Sequence, residues 1–373
     1  MTSYDYIDNT DDLIRCCLAL QGSSVLSVDT EFVRERTFYP QPGLIQVSDG
    51  NNISLIDPNA CDNLQPFFDL LESPNIKIVM HSSSEDIELF YSMGCGIIQN
   101  LFDTQIAASW LGMGQSLSLQ RIVEHYEQVV IEKQHSRTDW LKRPLTDAQL
   151  EYAAIDVLYL NSICEQQLNA LVELGYSDFM VEDCDLRCEK KSVEASDELA
   201  YLKVKKALLA TGESLNRLQQ LAIWREQTAR KVDKPRQHVI KDQQLLCISL
   251  EASKTFEQLA NQCELPPFII RRYGEQIIDA LSQPATDTKA VISLKSLPGA
   301  NKTLSDCRSL MVDINLEKNI PREVLPSKRW LEQFLLHYAV QWYPKPDGWK
   351  GWRKSLLEAP LQKIINENQF NIK

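Results

Sequence analysis

The chain has 373 residues, 44% of them hydrophobic and 24% charged, which is enough for two or three domains with full cores. No apolar run approaches the roughly 18 residues needed to span a bilayer, and the opening Met1-Thr2-Ser3-Tyr4-Asp5 lacks the basic and apolar parts of a signal peptide, so a cytoplasmic protein with no membrane partner is expected. The net charge of −12 divides unevenly: residues 1–200 hold 12 Lys and Arg against 33 Asp and Glu, net −21, whereas residues 201–373 hold 27 against 18, net +9.

In chain order, Ser24–Phe32, Gly43–Ser48 and Asn52–Ile56 read as strands, the last two joined by the hairpin turn Asp49-Gly50-Asn51. Helix and strand then alternate: Gln65–Glu72 helix, Lys77–His81 buried strand, Ser84–Met93 helix, and further helices over Leu101–Leu111, Leu117–Glu127 and Asp147–Leu171. This pattern predicts an α/β domain with a mixed sheet flanked by helices. Ser82-Ser83-Ser84-Glu85 and Thr146-Asp147-Ala148-Gln149 both fit the capping box that starts a helix. The charged stretch Glu182–Glu198 reads as a linker. Beyond Leu202 the pattern is all helical, interrupted by the Pro-, Ser- and Lys-rich Ser282–Lys302. The expected division is 1–200, 201–284, a linker over 285–302, and 303–373. A faint repeat at an offset of 86, Pro235-Arg236 against Pro321-Arg322, relates the helical segments. The ten cysteines fall mostly in apolar segments without CxxC pairs, the pattern of buried reduced thiols rather than a zinc site or disulfides.

Four acidic residues in three motifs carry the chemistry. Asp29 and Glu31, at i and i+2 on a strand, project to one face. Asp86 follows on the helix after His81-Ser82-Ser83-Ser84, and Tyr152 and Asp156, four apart, share one helix face. Converging carboxylates are costly unless cations bind them. Four of them suit two hard divalent ions, Mg2+ or Mn2+, of the kind that hydrolyse phosphodiesters. Tyr152 can then aim the attacking water.

These motifs, with Val28-Asp29-Thr30-Glu31-Phe32, Gly43-Leu44-Ile45-Gln46-Val47 and Arg137-Thr138-Asp139-Trp140-Leu141-Lys142-Arg143-Pro144-Leu145, closely resemble the bacterial ribonuclease D family, in the tyrosine subgroup of the DEDD exonucleases. The resemblance implies an RNase H-like nuclease domain and two C-terminal HRDC domains, matched by Leu215–Leu281 and Leu304–Ile365. It implies 3′→5′ hydrolysis of RNA to 5′-mononucleotides in tRNA 3′ maturation, with tRNA precursors and structured RNA bearing single-stranded 3′ ends as partners. It also implies a monomer with Asp29, Glu31, Asp86 and Asp156 as metal ligands and Tyr152 orienting water. A DNA 3′→5′ exonuclease would carry the same carboxylates, and a non-catalytic RNA-binding scaffold is the rival from another class.

RNA contacts are expected from Lys133, Arg137, Lys142 and Arg143 before the tyrosine helix, and from Lys350 and Arg353 among tryptophans. Gln46 fits either a substrate contact or simple edge polarity. His81 fits a substrate contact or a hydrogen-bonded supporting role. Asp103 reads as a helix N-cap rather than a fifth ligand. Removing residues 201–373 is expected to leave chemistry on short oligonucleotides.

Overall fold

Six segments rich in apolar and β-branched residues form one mixed sheet: β1 (Asp5–Ile7), β2 (Val25–Val33), β3 (Gln41–Ser48), β4 (Ile53–Ile56), β5 (Lys77–Met80) and β6 (Leu101–Asp103), in spatial order β1-β4-β3-β2-β5-β6. The structure is a computed structural model describing residues 2–131, 138–192, 196–253, 255–284 and 288–370, the side chains of 190–192 excepted. Only β3 runs antiparallel to its neighbours; β1 lies parallel to β4, and β5 parallel to β2 and β6. The helices of this part are α1 (Thr10–Leu20), α2 (Gln65–Leu71), α3 (Ser84–Ser92), α4 (Thr104–Trp110), α5 (Leu119–Glu127), α6 (Asp147–Leu158), α7 (Leu160–Leu174) and α8 (Ser177–Ser192). Helix α6 lies across β2, β3 and β4, and α7 continues over β2 and β5.

Several elements depart from expectation. Leu101 and Phe102 open no helix; they pair with Ile78 and Val79 as a sheet strand, and α4 begins after Asp103. The expected helix Asp147–Leu171 is two helices meeting at Tyr159. The expected linker over 182–198 is largely α8. Its buried stripe, Met180, Cys184 and Cys188 at a spacing of four, is helical in period but made of thiols and a thioether between charges, which hid it. Cysteine pairing also corrects the sequence reading: Cys247 and Cys263 are joined by a disulfide, while eight others are free and mostly buried. The fold brings helix α11 (Asp242–Glu251) against the turn after α12 (Phe256–Asn261), a proximity that a separation of 16 residues does not reveal.

Residues 200–280 enclose their own core, built by α9 (Gly212–Lys231), α10 (Arg236–Val239), α11, α12 and α13 (Pro267–Leu281). It touches the sheet domain at the loop after β2. There Asp233 accepts from the backbone N–H groups of Phe38 and Tyr39 at 2.9 and 3.0 Å, and Arg236 sits 4.7 Å over the Phe38 ring. The last helices, α14 (Ala300–Lys318), α15 (Lys328–Ala339) and α16 (Gly351–Glu367), behave differently: their buried residues are continuous with the core of the sheet domain. Trp110 and Trp352 meet at 4.9 Å, and their indole N–H groups donate to the two oxygens of Asp183 on α8 at 3.1 and 3.0 Å. A chain cut at residue 200 would lose the contacts that Trp110 and Phe179 make with Trp352 and that Tyr176 makes with Asn319. No helix of the described residues is long and apolar enough to cross a membrane.

Candidate active site

The site forms where β2 ends beneath α6. Asp29 and Glu31 leave the same face of β2, and a register shift between Glu31 and Phe32 turns the strand away just after them. Gly43 on β3 has a steric reason: a Cβ there would stand 2.6 Å from Trp140 Cβ, so glycine lets the 138–143 segment press against the strand opposite Glu31. Helix α6 starts where expected. Thr146 Oγ1 accepts from the Gln149 N–H at 3.3 Å while Gln149 Oε1 accepts from the Thr146 N–H at 3.1 Å. That phase delivers Asp156 to the cluster.

Carboxylate oxygens of Asp29, Glu31 and Asp156 lie within 4.8 Å of one another. Asp86 approaches separately from α3 and is buried; its Oδ1 accepts from Thr30 Oγ1 at 2.5 Å. Thr30 alternates with Asp29 and Glu31, so β2 presents two acids on one face and anchors the fourth from the other. The role of Thr30 was not anticipated, and its only sequence signal is a hydroxyl between two acids. Burial, then the charges of Asp86, Asp156 and Glu31, pushes the Asp29 carboxyl up. Burial and the charges of Asp156 and Asp86 raise Glu31 from its ordinary value of 4.5 to about 9. Asp86 and Asp156 are raised chiefly by burial. The Tyr152 hydroxyl hydrogen-bonds Asp156, and burial with the surrounding carboxylates pushes its pKa far up, so it stays a neutral phenol that donates and accepts but does not act as a base.

A set of oxygen donors held together against their own repulsion fits hard divalent cations. It also fixes a pH response in their absence. Because the folded values of these acids lie above the unfolded ones, the native state binds more protons at this site, so their contribution to stability is fully present below about pH 4 and is lost as pH rises toward 9. With chelator, the melting temperature is expected to fall steadily from pH 5.5 to 9, and saturating Mn2+ is expected to reverse most of the fall. A flat profile in chelator would show that the carboxylates are not strained together.

The remaining candidates divide. Both His81 ring nitrogens are engaged, Nδ1 with Thr104 Oγ1 at 2.8 Å and Nε2 with the Leu117 carbonyl at 3.1 Å, and burial holds its pKa down. This is the supporting arrangement of a neutral imidazole with its proton on Nε2. Asp103 is indeed an N-cap, accepting from the N–H groups of Gln105 and Ile106 at 2.9 and 3.2 Å. It also replaces the expected capping box of α3. Ser83 makes no side-chain cap; instead Asp103 accepts from the Ser82 and Ser83 N–H groups and from Ser83 Oγ, with Ser82 at φ 58°. Parallel β5 and β6 deliver both helix starts side by side, so one carboxylate serves two.

Gln46 faces Asp29 across the β2–β3 pairing, on an interior strand and 0% exposed, which excludes edge polarity. Neither of its amide atoms has a hydrogen-bond partner among the described residues. Arg143 is occupied by the fold: Nε and Nη2 bond both oxygens of Asp57 at 2.5 and 2.8 Å, and Nη2 also reaches the Gly43 carbonyl at 2.6 Å. Arg353 pairs with Asp183 and Lys350 with Glu189, both on α8, so these two cations bridge protein elements instead of standing free. Trp352 is 5% exposed and lies in the core. Lys142 is exposed, while Lys133 and Arg137 lie outside the described residues.

The family model described as "3'-5' exonuclease" matches residues 4–172, the part that carries the mixed sheet and this carboxylate cluster, and an HRDC domain model matches 214–281. Ribonuclease D of Shewanella sp. (strain ANA-3) is 35% identical over 98% of this chain and 95% of the relative, and ribonuclease D of Escherichia coli (strain K12) is 32% identical over 98% and 99%. The crystal structure of E. coli RNase D, an exoribonuclease involved in structured RNA processing, superposes with a TM-score of 0.92 at 31% identity, covering 98% and 99% of the two chains. The catalytic core of RRP6 from Trypanosoma brucei shares the fold, with a TM-score of 0.60 at 20% identity over 75% and 79%. The chain belongs to the ribonuclease D family and is a 3′→5′ exoribonuclease.

Proposed function

We propose that the enzyme trims the 3′ ends of structured RNA, tRNA precursors foremost, as a monomer using two Mg2+ or Mn2+ ions held by Asp29, Glu31, Asp86 and Asp156. The observation that carries this reading is the convergence of Asp29, Glu31 and Asp156 within 4.8 Å, with Asp86 adding its charge to Asp29. When bound, the cations supply a nucleophilic hydroxide, charge neutralisation at phosphorus and support for the leaving 3′ oxygen. The chain's own groups do the rest. Asp29 feels the charge of the other three acids and is the natural shared ligand. Tyr152, neutral and bonded to Asp156, holds the attacking water in line. Thr30 and the Asp103-capped turn keep Asp86 in place. Residues 1–200 carry this chemistry, and 201–284 and 303–373 are taken as the two HRDC units that hold RNA.

Preference for RNA over DNA needs a contact to the 2′-OH. A 5′-labelled single-stranded RNA and its DNA counterpart, each with Mg2+, Mn2+ or chelator, test the proposal. The expected result is a metal-dependent ladder shortening from the 3′ end of RNA and little from DNA. Equal or faster loss of DNA would overturn the substrate assignment. Cleavage in chelator would overturn the metal assignment.

A further inference from the structure

A cleft of about 380 Å³ opens at the seam between the sheet domain and the last helical segment. Arg308 of α14, Arg322 of the following turn and Lys328 at the start of α15 form its rim, over a floor that includes Met311, Leu325 and Leu331. All three cations are exposed. Among the described residues, Arg308 and Arg322 form no ion pair, and Lys328 has only a 3.7 Å pair to Glu332 one turn along its own helix. Three other cations of this segment are paired with carboxylates: Arg353 with Asp183, Lys350 with Glu189 and Lys302 with Asp306. The cleft includes one carboxylate residue, Glu323, whose backbone carbonyl accepts from Gln115 Nε2 at 3.3 Å. The formal balance at the rim is therefore +2.

We propose that this cleft holds a backbone phosphate of the substrate RNA, upstream of the scissile bond. The reading rests on the exoribonuclease activity assigned above and says where a longer RNA is gripped. Two guanidinium forks suit a phosphate's oxygens, and the apolar floor accepts the adjoining ribose or base face. Position supports the same occupant. Gln115 belongs to the 111–118 loop, whose Leu117 carbonyl accepts from His81, the residue that leads into the Asp86 helix. The cleft is thus tied through one loop to the residue that leads into the Asp86 helix.

The test uses the full chain carrying Arg308→Gln, Arg322→Gln and Lys328→Gln together. Binding is measured in chelator, where no cleavage occurs, to a stem-loop RNA with a single-stranded 3′ end across a salt series. Hydrolysis of a tetranucleotide, expected to be too short to occupy the cleft and the active site together, is measured with Mg2+. Stem-loop affinity is expected to fall at least tenfold at 0.15 M salt, with the slope of log K against log salt shallower by about 2, while tetranucleotide turnover stays within twofold. Unchanged stem-loop affinity and slope would overturn the proposal, as would an equal loss on the tetranucleotide, which would place the effect in the fold or the active site. A wild-type protein that leaves the tetranucleotide intact would instead overturn the exoribonuclease reading, and the binding arm would still decide the cleft.

Discussion

Asp156→Asn is expected to fold normally and to lose hydrolysis of labelled RNA by on the order of a thousandfold or more. The substitution is isosteric, and the Asn carbonyl can still accept from Tyr152, so the geometry of α6 against β2 should persist. What disappears is one negative charge from a group of three whose oxygens lie within 4.8 Å. Asp156 is the leading charge raising Glu31, so its removal relieves the metal-free protein. In chelator near pH 8 the variant should therefore melt no lower than the wild type. Asp29→Asn should act in the same direction on both readouts. Activity within tenfold of wild type in either variant would end the assignment of these carboxylates as metal ligands. A large loss of melting temperature would show that the charge is structural.

The largest effect on stability is expected away from the site, at Asp183. Its two oxygens take the indole N–H groups of Trp110 and Trp352 and the guanidinium of Arg353, joining α4, α8 and α16. The carboxylate is 9% exposed and the guanidinium 18%. Asp183→Ala would leave three donors unpaired in a largely dry setting, and breaking such a pair by removing one partner costs about 3–5 kcal/mol. The partial exposure of Arg353 argues for the lower end. Lys354→Ala, on the same helix but within an exposed pair to Glu358 at 3.7 Å, should stay within about 0.5 kcal/mol. Urea unfolding of the two variants checks the contrast. Equal midpoints would show that the Asp183 hub does not hold the last helices to the sheet domain.

The carboxylate constellation was legible early because each part is local. The spacing of Asp29 and Glu31 sets one face of a strand, and the spacing of Tyr152 and Asp156 sets one face of a helix. The Thr146–Gln149 box sets the phase of that helix within four residues of sequence. The meander of β2, β3 and β4 was legible for the same reason, from alternation and a turn signal. The three-residue β1 and β6 were not. Strands that short carry too little periodicity to stand out, and their pairing to β4 and β5 is what makes them strands.

The sequence by itself determined the β2–β3–β4 meander, the acid residues that meet, and the split between an acidic and a basic half. Only the tertiary structure decided what the isolated charges do. Arg143 meets Asp57 across 86 residues, Arg353 meets Asp183 across 170, and Asp103 reaches back 20 residues to hold the turn before Asp86. An arginine beside a candidate site looks the same in sequence whether it will grip phosphate or a carboxylate of its own fold. Burying a charge is tolerable only where a partner waits, and the partner's position is set by the packing of whole elements, not by any local pattern.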